Sequence, residues 1–114
     1  MKTYSINDMV GGWFIGDFEP SILRTDAFEV GYKVHPKGEI WDTHFHKEAT
    51  EYNLLVQGRM KICNETLSSG TIFIINKGEV VSPVFETDCH IICVKVPSVI
   101  GDKYILDPNT EQEK

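Results

Sequence analysis

The sequence of 114 residues has no long apolar run and no cluster of basic residues. A membrane-spanning helix needs about 20 consecutive apolar residues, so we expect no membrane partner. The formal net charge is −6, whereas binding to nucleic-acid phosphates needs clustered lysine and arginine, so we expect no nucleic-acid partner. Residues 1–12 lack the apolar stretch of a secretory signal, which favours a cytoplasmic location.

Cysteine is scarce, with three residues: Cys63, Cys89 and Cys93. An odd number in a short chain makes a poor disulfide framework, and the lack of a Cys-x-x-Cys pair excludes a zinc ribbon or a thioredoxin-like motif. We expect free cysteines that pack as small apolar groups. Gly11-Gly12 lacks the lysine of a phosphate-binding loop, and no Gly-x-Ser-x-Gly is present.

The chain has instead a series of short strand patterns separated by turn residues. Residues 28–34 alternate apolar with other residues, the period of a β-strand. Turn residues separate further strand-like segments at 41–46, 52–56, 59–63, 71–75, 80–85 and 90–96. We expect 52–56 and 59–63 to form a hairpin, and 71–75 to be a buried strand. Strands at this spacing predict an all-β sandwich or barrel.

The length predicts one domain. We expect residues 1–106 to form a single barrel, with residues 1–27 as an N-terminal extension that adds a strand or covers a barrel end. Residues 107–114 contain no strongly apolar side chain, which indicates a polar C-terminal tail.

The candidate metal-binding residues of the sequence are His44, His46 and Glu51. The histidines are two residues apart in a strand-like segment, so their side chains share a face. Glu51 follows a turn-like stretch and opens the next strand, where its carboxylate could meet the same cation. Two imidazoles and a carboxylate suit divalent iron, manganese, nickel, copper or zinc. The residues therefore predict a metal site, and a polar cavity without metal is the alternative.

These residues carry a family resemblance. The segment 38–58 resembles the first motif of the cupin superfamily, G-x5-H-x-H-x4-E-x6-G, with every fixed position in place: Gly38, His44, His46, Glu51 and Gly58. The resemblance implies a double-stranded β-helix, or jelly-roll barrel, in which both histidines and the glutamate face the interior and bind a metal. It also implies a homodimer, because small cupins commonly dimerise by swapping or pairing edge strands.

The second cupin motif, G-x5-P-x-G-x2-H-x3-N, is degenerate. Gly70 and Gly78 fit it, whereas three positions differ: Asn76, Val81 and Phe85. Val81 stands where the resemblance would place a fourth metal ligand. His90 could substitute for that ligand only if its side chain faces inward.

Further pocket residues are expected around this site: Asn53, Tyr32, Trp41, Val81 and Phe85. Asn53 shares the face of Glu51 and could hydrogen-bond a metal ligand or a substrate. Lys33 and Arg59 could meet an acidic substrate, although nothing in the sequence places them inside. His35 precedes Pro36 at a turn, and we expect it to be exposed.

Two functions stay open at this point. One is a metal-dependent enzyme, with dioxygenation or isomerisation of a sugar or keto acid as candidate reactions. The other is a non-catalytic module that binds a small organic ligand without metal. A weaker third hypothesis gives residues 1–23 a role in docking a partner chain. Because one fold hosts many chemistries, the sequence does not choose among them.

Overall fold

The structure, a computed structural model, describes residues 1–106. A 3-10 helix at Ile6–Asp8 precedes eleven strands in this part of the chain. The strands are β1 (Trp13–Gly16), β2 (Leu23–Arg24), β3 (Glu29–His35), β4 (His44–His46), β5 (Thr50–Gln57), β6 (Arg59–Ile62), β7 (Glu65–Ser68), β8 (Ile72–Ile75), β9 (Val84–Phe85), β10 (Cys89–Val96) and β11 (Lys103–Ile105). Within residues 1–106 no helix is long and apolar enough to span a bilayer. The tail expected at 107–114 lies outside the described residues.

The strands form two facing layers. One layer is a six-stranded sheet in the order β2-β1-β3-β10-β5-β8, antiparallel except for the β1–β2 pair. The other consists of β7-β6-β9 and β11-β4, which isolated bridges Ile40–Val84 and His44–Val81 join edge to edge. This arrangement confirms the predicted all-β barrel.

The apolar core lies between the two layers and takes side chains from both. Its buried members are Leu55, Met60, Ile62, Ile75, Val81, Phe85, Cys89 and Ile91. Strand alternation explains which residues are buried, because every second side chain of β10 faces inward, as those of Cys89, Ile91 and Cys93 do. Farther along the same inner faces lie polar side chains such as Asn53 and Lys95, so the cavity next to this core has a partly polar lining.

Residues 1–27 extend the large sheet. β1 pairs antiparallel with β3, and β2 lies parallel beside β1. Trp13 lies opposite Gly31 in this pairing. A Cβ at Gly31 would come within 2.6 Å of Trp13 Cε3, so the absence of a side chain allows the indole to lie against the inner face of β3.

The expected hairpin of 52–56 with 59–63 is wrong. β5 pairs with β10 and β8, whereas β6 pairs with β7 and β9, so the chain changes sheets at Gly58. That residue has φ +117°, and a Cβ there would lie 2.4 Å from the Asp88 carbonyl oxygen, which makes glycine necessary. The hairpin partner of β6 is β7, across a turn at Cys63 and Asn64, whose φ angles are 51° and 64°. Positive φ at both residues is the geometry of a tight hairpin turn.

The expectation that 71–75 forms a buried strand is also wrong. β8 is an edge strand that pairs only with β5 among the described strands. Ile72 is 76% exposed and Ile74 is 53% exposed, while Ile75 faces the core. The β-branched run reflects strand propensity, which does not distinguish an edge strand from a central one.

Candidate functional site

A cavity of about 180 Å³ lies between the two layers beside the apolar core. Its polar lining comes from both sheets and includes His35, His44, His46, Glu51 and Asn53. Three lysines and two tryptophans also line the cavity: Lys33, Lys95, Lys103, Trp13 and Trp41.

Both histidines of β4 point into this cavity and are almost fully buried. Nδ1 of His44 lies 2.9 Å from the carbonyl oxygen of Asp42, and Nδ1 of His46 lies 3.2 Å from that of Asp102. A carbonyl oxygen can only accept, so each Nδ1 carries the proton and donates it. For His44 this leaves Nε2 with a free lone pair, which is the tautomer that metal-binding histidines adopt, whereas Nε2 of His46 faces the carboxylate of Glu51.

The carboxylate of Glu51 meets His46 from the opposite sheet. Glu51 Oε2 lies 2.8 Å from His46 Nε2, yet this buried nitrogen has no hydrogen-bond partner within residues 1–106, because the contact is misaligned. Two neighbouring ligands at about 2.1 Å from a metal would be about 3 Å apart. The separation of the two atoms therefore suits a shared cation.

The protonation states also suit metal binding. Burial alone would raise the pKa of Glu51, but His46, Lys95 and Asn53 outweigh it and lower that pKa below its ordinary value. Burial lowers the pKa of His44, and the nearby positive charge of Lys103 adds to this effect. Metal ligands must be deprotonated, so an ionised Glu51 and a neutral His44 are the required forms.

The geometry is not that of a preformed metal site. Among residues 1–106, no three His, Cys, Asp or Glu side chains converge closely enough to hold an ion as they stand. The ring centroids of His44 and His46 are 5.5 Å apart. The donor chemistry fits a divalent cation, since it combines two imidazoles with an ionised carboxylate, but the side chains would have to adjust to bind one.

Asp102, which no sequence motif singles out, holds the loop between β4 and β5 in place. Its buried carboxylate accepts hydrogen bonds from the N–H groups of Lys47, Glu48 and Ala49 at 2.9–3.2 Å. Its own carbonyl oxygen accepts the Nδ1 proton of His46. One residue thus orients a histidine and holds the connection that leads to Glu51.

His35 is buried, which corrects the expectation that it is exposed beside Pro36. Its ring stacks on Phe85 at a centroid distance of 4.3 Å and contacts Trp41 edge-on. Nδ1 of His35 lies 2.6 Å from Glu39 Oε2, the same oxygen to which Trp41 Nε1 donates. The turn begins only after His35, so the residue still occupies an inward position of β3.

Three lysine ammonium groups lie over the two tryptophan rings. Lys33 and Lys95 Nζ are 5.0 and 4.9 Å from the Trp13 ring centroid, and Lys103 Nζ is 3.7 Å from that of Trp41. Burial lowers the pKa of Lys33 and of Lys103, and the charge of Lys95 lowers both further. The lysines are thus close enough to repel one another at the cavity wall.

Known proteins of similar structure share this two-layered barrel. A protein of Klebsiella pneumoniae with a double-stranded β-helix domain superposes with a TM-score of 0.67 at 17% identity, covering 91% of this chain and 90% of that one. A cupin-2 domain protein of Shewanella frigidimarina gives 0.57 at 20% identity, covering 66% and 76%. The chain has the cupin fold. Pirin YhhW of Escherichia coli, solved with nickel(II), gives 0.62 at 17% identity, covering 76% and 39%.

At these identities the likeness concerns the cupin fold alone. No protein-family model matches the sequence, and none of the curated proteins matches it. The roles of individual residues in this chain must therefore be argued from its own geometry.

The cupin barrel places most of the expected pocket residues at the cavity. Trp41, Asn53, Val81 and Phe85 line it together with the histidines and Glu51. Asn53 Nδ2 lies 3.4 Å from Glu51 Oε1. Val81 exchanges backbone hydrogen bonds of 2.8 and 3.0 Å with His44, so the position of the missing motif histidine is beside the first histidine.

Tyr32 and His90 lie elsewhere, and both expectations are corrected. Their neighbours Lys33 and Ile91 line the cavity, so strand alternation turns Tyr32 and His90 to the outer face of the sheet. There the Tyr32 hydroxyl hydrogen-bonds His90 Nδ1. His90 is therefore not positioned to be a fourth ligand. Arg59 is also outside the cavity, and its Nε lies 2.9 Å from Glu86 Oε1.

Proposed function

We propose that this cupin binds a divalent metal through His44, His46 and Glu51 and acts on a small organic molecule in the same cavity. The observation that carries the proposal is the buried Nε2 of His46. It has no hydrogen-bond partner within the described chain and lies 2.8 Å from a carboxylate oxygen. An unsatisfied buried nitrogen is costly, and a bound cation would remove that cost.

Iron, manganese, nickel and zinc are the candidate metals, because imidazole and carboxylate ligands accept all of them. The nickel bound to pirin YhhW, which shares the fold, supports the inclusion of nickel. A divalent metal with open coordination positions would supply Lewis-acid or redox chemistry to the substrate. Oxygenation and the isomerisation of a sugar or keto acid are the reaction classes that we propose.

The chain's own residues have separate tasks in this proposal. Asn53 restrains Glu51 through its hydrogen bond, and Asp42 and Asp102 orient the two imidazole rings through their carbonyl oxygens. Val81 and Phe85 give the cavity an apolar wall, and a less polar surrounding strengthens electrostatic interactions beside it.

The test is elemental analysis of protein purified without a metal-binding tag. Near-stoichiometric metal is expected in the wild type, and a loss of metal is expected in His44→Ala and in Glu51→Gln. His90→Ala is the matched control, because it removes a histidine from the outer face of the sheet. A wild-type protein that holds no metal after addition of iron, manganese, nickel and zinc would overturn the metal site.

A second candidate function is a metal-free binding module. The observation in its favour is Val81, an apolar residue at the place of the motif histidine beside His44. In a module of this kind His46→Ala would retain ligand binding, whereas in the metal-dependent protein the same change would abolish activity together with metal content.

We also propose that the protein forms a homodimer through the outer face of the six-stranded sheet. Central outward positions on four neighbouring strands carry no Lys, Arg, Asp or Glu: Val30, Tyr32, Val34, Tyr52, Leu54, Val56, Ile72, Ile74, His90, Ile92 and Val94. An apolar patch of this extent on a chain that carries a charge of −6 is typical of an interface. A second copy offers the same uncharged face.

Sedimentation velocity tests this assembly. Ile74→Lys is expected to yield monomers, because the charge would be buried without a partner at the interface. Val84→Lys is the control, since Val84 is equally exposed at 53% but lies in the opposite layer. A wild-type protein that stays monomeric at every concentration would rule the dimer out.

We also propose that the protein is located in the cytoplasm. All three cysteines are free, and Cys89 and Cys93 are buried without forming a disulfide. Free cysteines are typical of reducing compartments. Fractionation of cells that express the untagged protein, followed by immunoblotting, would test the location.

A further inference from the structure

The cavity has an excess of positive charge that the proposed metal does not explain. Its charged lining, within the described residues, consists of Lys33, Lys95 and Lys103 against the single carboxylate of Glu51. The whole chain is acidic, with a net charge of −6. A concave site with a charge opposite to that of its protein attracts and retains ions of the opposite sign.

We propose that the cavity's ligand is a small organic acid whose carboxylate is bound by Lys33, Lys95 and Lys103. This inference rests on the proposed function, since it names the class of molecule that the same cavity takes. It does not depend on which metal is bound.

Two of the three lysines have no carboxylate partner in the described chain. Lys95 Nζ lies 3.8 Å from Glu29 Oε1, whereas no ion pair involves Lys33 or Lys103 within residues 1–106. Lys33 Nζ donates instead to the backbone carbonyl of Gly11. Lys33 is half-buried, and an ammonium group there that lacks a counter-charge is costly. An anionic ligand would supply that counter-charge and would also reach the more exposed Lys103 at the cavity rim.

The tryptophan rings hold these ammonium groups at the cavity. Trp13 lies beneath Lys33 and Lys95, and Trp41 beneath Lys103, at distances that allow cation–π attraction. Lys61 offers the contrast, because its side chain is 59% exposed and its Nζ lies 3.4 Å from Glu86. The three cavity lysines are therefore held over tryptophan rings at the cavity, whereas Lys61 is paired with Glu86 away from it.

The size of the cavity limits the ligand. A cavity volume of about 180 Å³ is roughly that of the cavities that hold one small ring compound such as benzene, about 150 Å³. A short organic acid with one or two carboxylates fits this space. A polymeric or lipid anion would have to remain mostly outside it.

Tryptophan fluorescence offers a direct readout, since both tryptophans of the chain line the cavity. Metal-loaded and metal-free protein would be titrated with succinate, pyruvate and benzoate, and with the matched neutral amides succinamide, pyruvamide and benzamide. At least one acid is expected to bind and change the emission, whereas its amide is not. Lys33→Met and Lys103→Met should each weaken binding of that acid about tenfold, and Lys61→Met should leave it unchanged.

A charge-preserving variant separates charge from folding. Lys103→Arg is expected to restore binding that Lys103→Met loses, and thermal unfolding of each variant verifies the fold. An amide that binds as tightly as its acid, an unchanged affinity in both methionine variants, or no response to any acid in either form of the protein would overturn the inference.

The same experiment keeps the two proposals apart. Lysine-dependent binding of an acid to protein that takes up no metal would support this inference while the metal site failed. Metal uptake that His44→Ala abolishes, together with no acid binding, would support the metal site and overturn this inference.

Discussion

His46 Nε2 and Glu51 Oε2 lie 2.8 Å apart although the two residues belong to different sheets. β4 pairs with β11, whereas β5 pairs with β10 and β8. The short loop at 47–49 connects them, and all its N–H groups donate to the carboxylate of Asp102. The contact therefore depends on a residue that is more than fifty positions away in the sequence.

Asp102→Asn is expected to destabilise the protein and weaken metal binding. An amide offers one acceptor oxygen in place of two, and its NH₂ group would face backbone N–H groups, so we expect a loss of about 2 kcal/mol in the free energy of unfolding. Urea unfolding measures the stability, and competition with a chelator measures metal affinity. Asp88→Asn is the control, because exposed Asp88 accepts one backbone hydrogen bond, from Lys37. Equal losses in both variants would contradict the role of Asp102.

Gly31→Ala is expected to displace Trp13. The added Cβ would lie 2.6 Å from Trp13 Cε3, and overpacking of this kind costs about 1–3 kcal/mol. A double-mutant cycle tests the cause, because in a Trp13→Ala background the same change should cost much less. Urea unfolding supplies the energies, and the emission maximum of tryptophan reports the movement. A cost that is equal in both backgrounds would mean that Gly31 matters for another reason.

The strands were predictable because their signal is local. Alternation over 28–34 predicted β3, which the structure places at Glu29–His35. The same periodicity placed His44 and His46 on one face, and both line the cavity. Pairing is not local, so the hairpin of 52–56 with 59–63 was wrong, and the exposed edge position of β8 could not be read from its β-branched residues.

Lys103 and Trp13 were not predicted at the site, because pairing between strands that are distant in the sequence places them at the cavity. β11 brings Lys103 beside His46, and β1 brings Trp13 onto β3. Neither strand has a motif that points to the site. His35 was misplaced because a turn residue follows it, although the turn starts too late to move its side chain. The degenerate second motif did indicate one feature of the site, the apolar wall at Val81.

Val81→His is expected to raise metal affinity. Val81 is 3% exposed, lines the cavity and is bridged to His44, so a histidine there could add an imidazole to the proposed ligand set. Competition with a chelator should show at least about a tenfold increase in affinity, which corresponds to about 1.4 kcal/mol. Val81→Leu is the control for volume without a ligand atom. A histidine variant that folds and binds metal no better than the leucine variant would place this position outside the metal's reach.

Binding of the organic acid is expected to weaken as the pH rises, earlier than ordinary lysines would allow. Burial and the charge of Lys95 hold the pKa values of Lys33 and Lys103 below the usual 10.5. A lysine is positive only below its pKa, so lowered values mean that the attraction for a carboxylate disappears before pH 10.5 is reached. Fluorescence titrations with the acid that binds, at increasing pH, measure the change. Lys33→Arg with Lys103→Arg should reduce this pH dependence, because a guanidinium stays charged throughout the range and only Lys95 is left to titrate. A wild-type affinity that stays constant up to pH 10.5 would exclude these lysines as the source of binding.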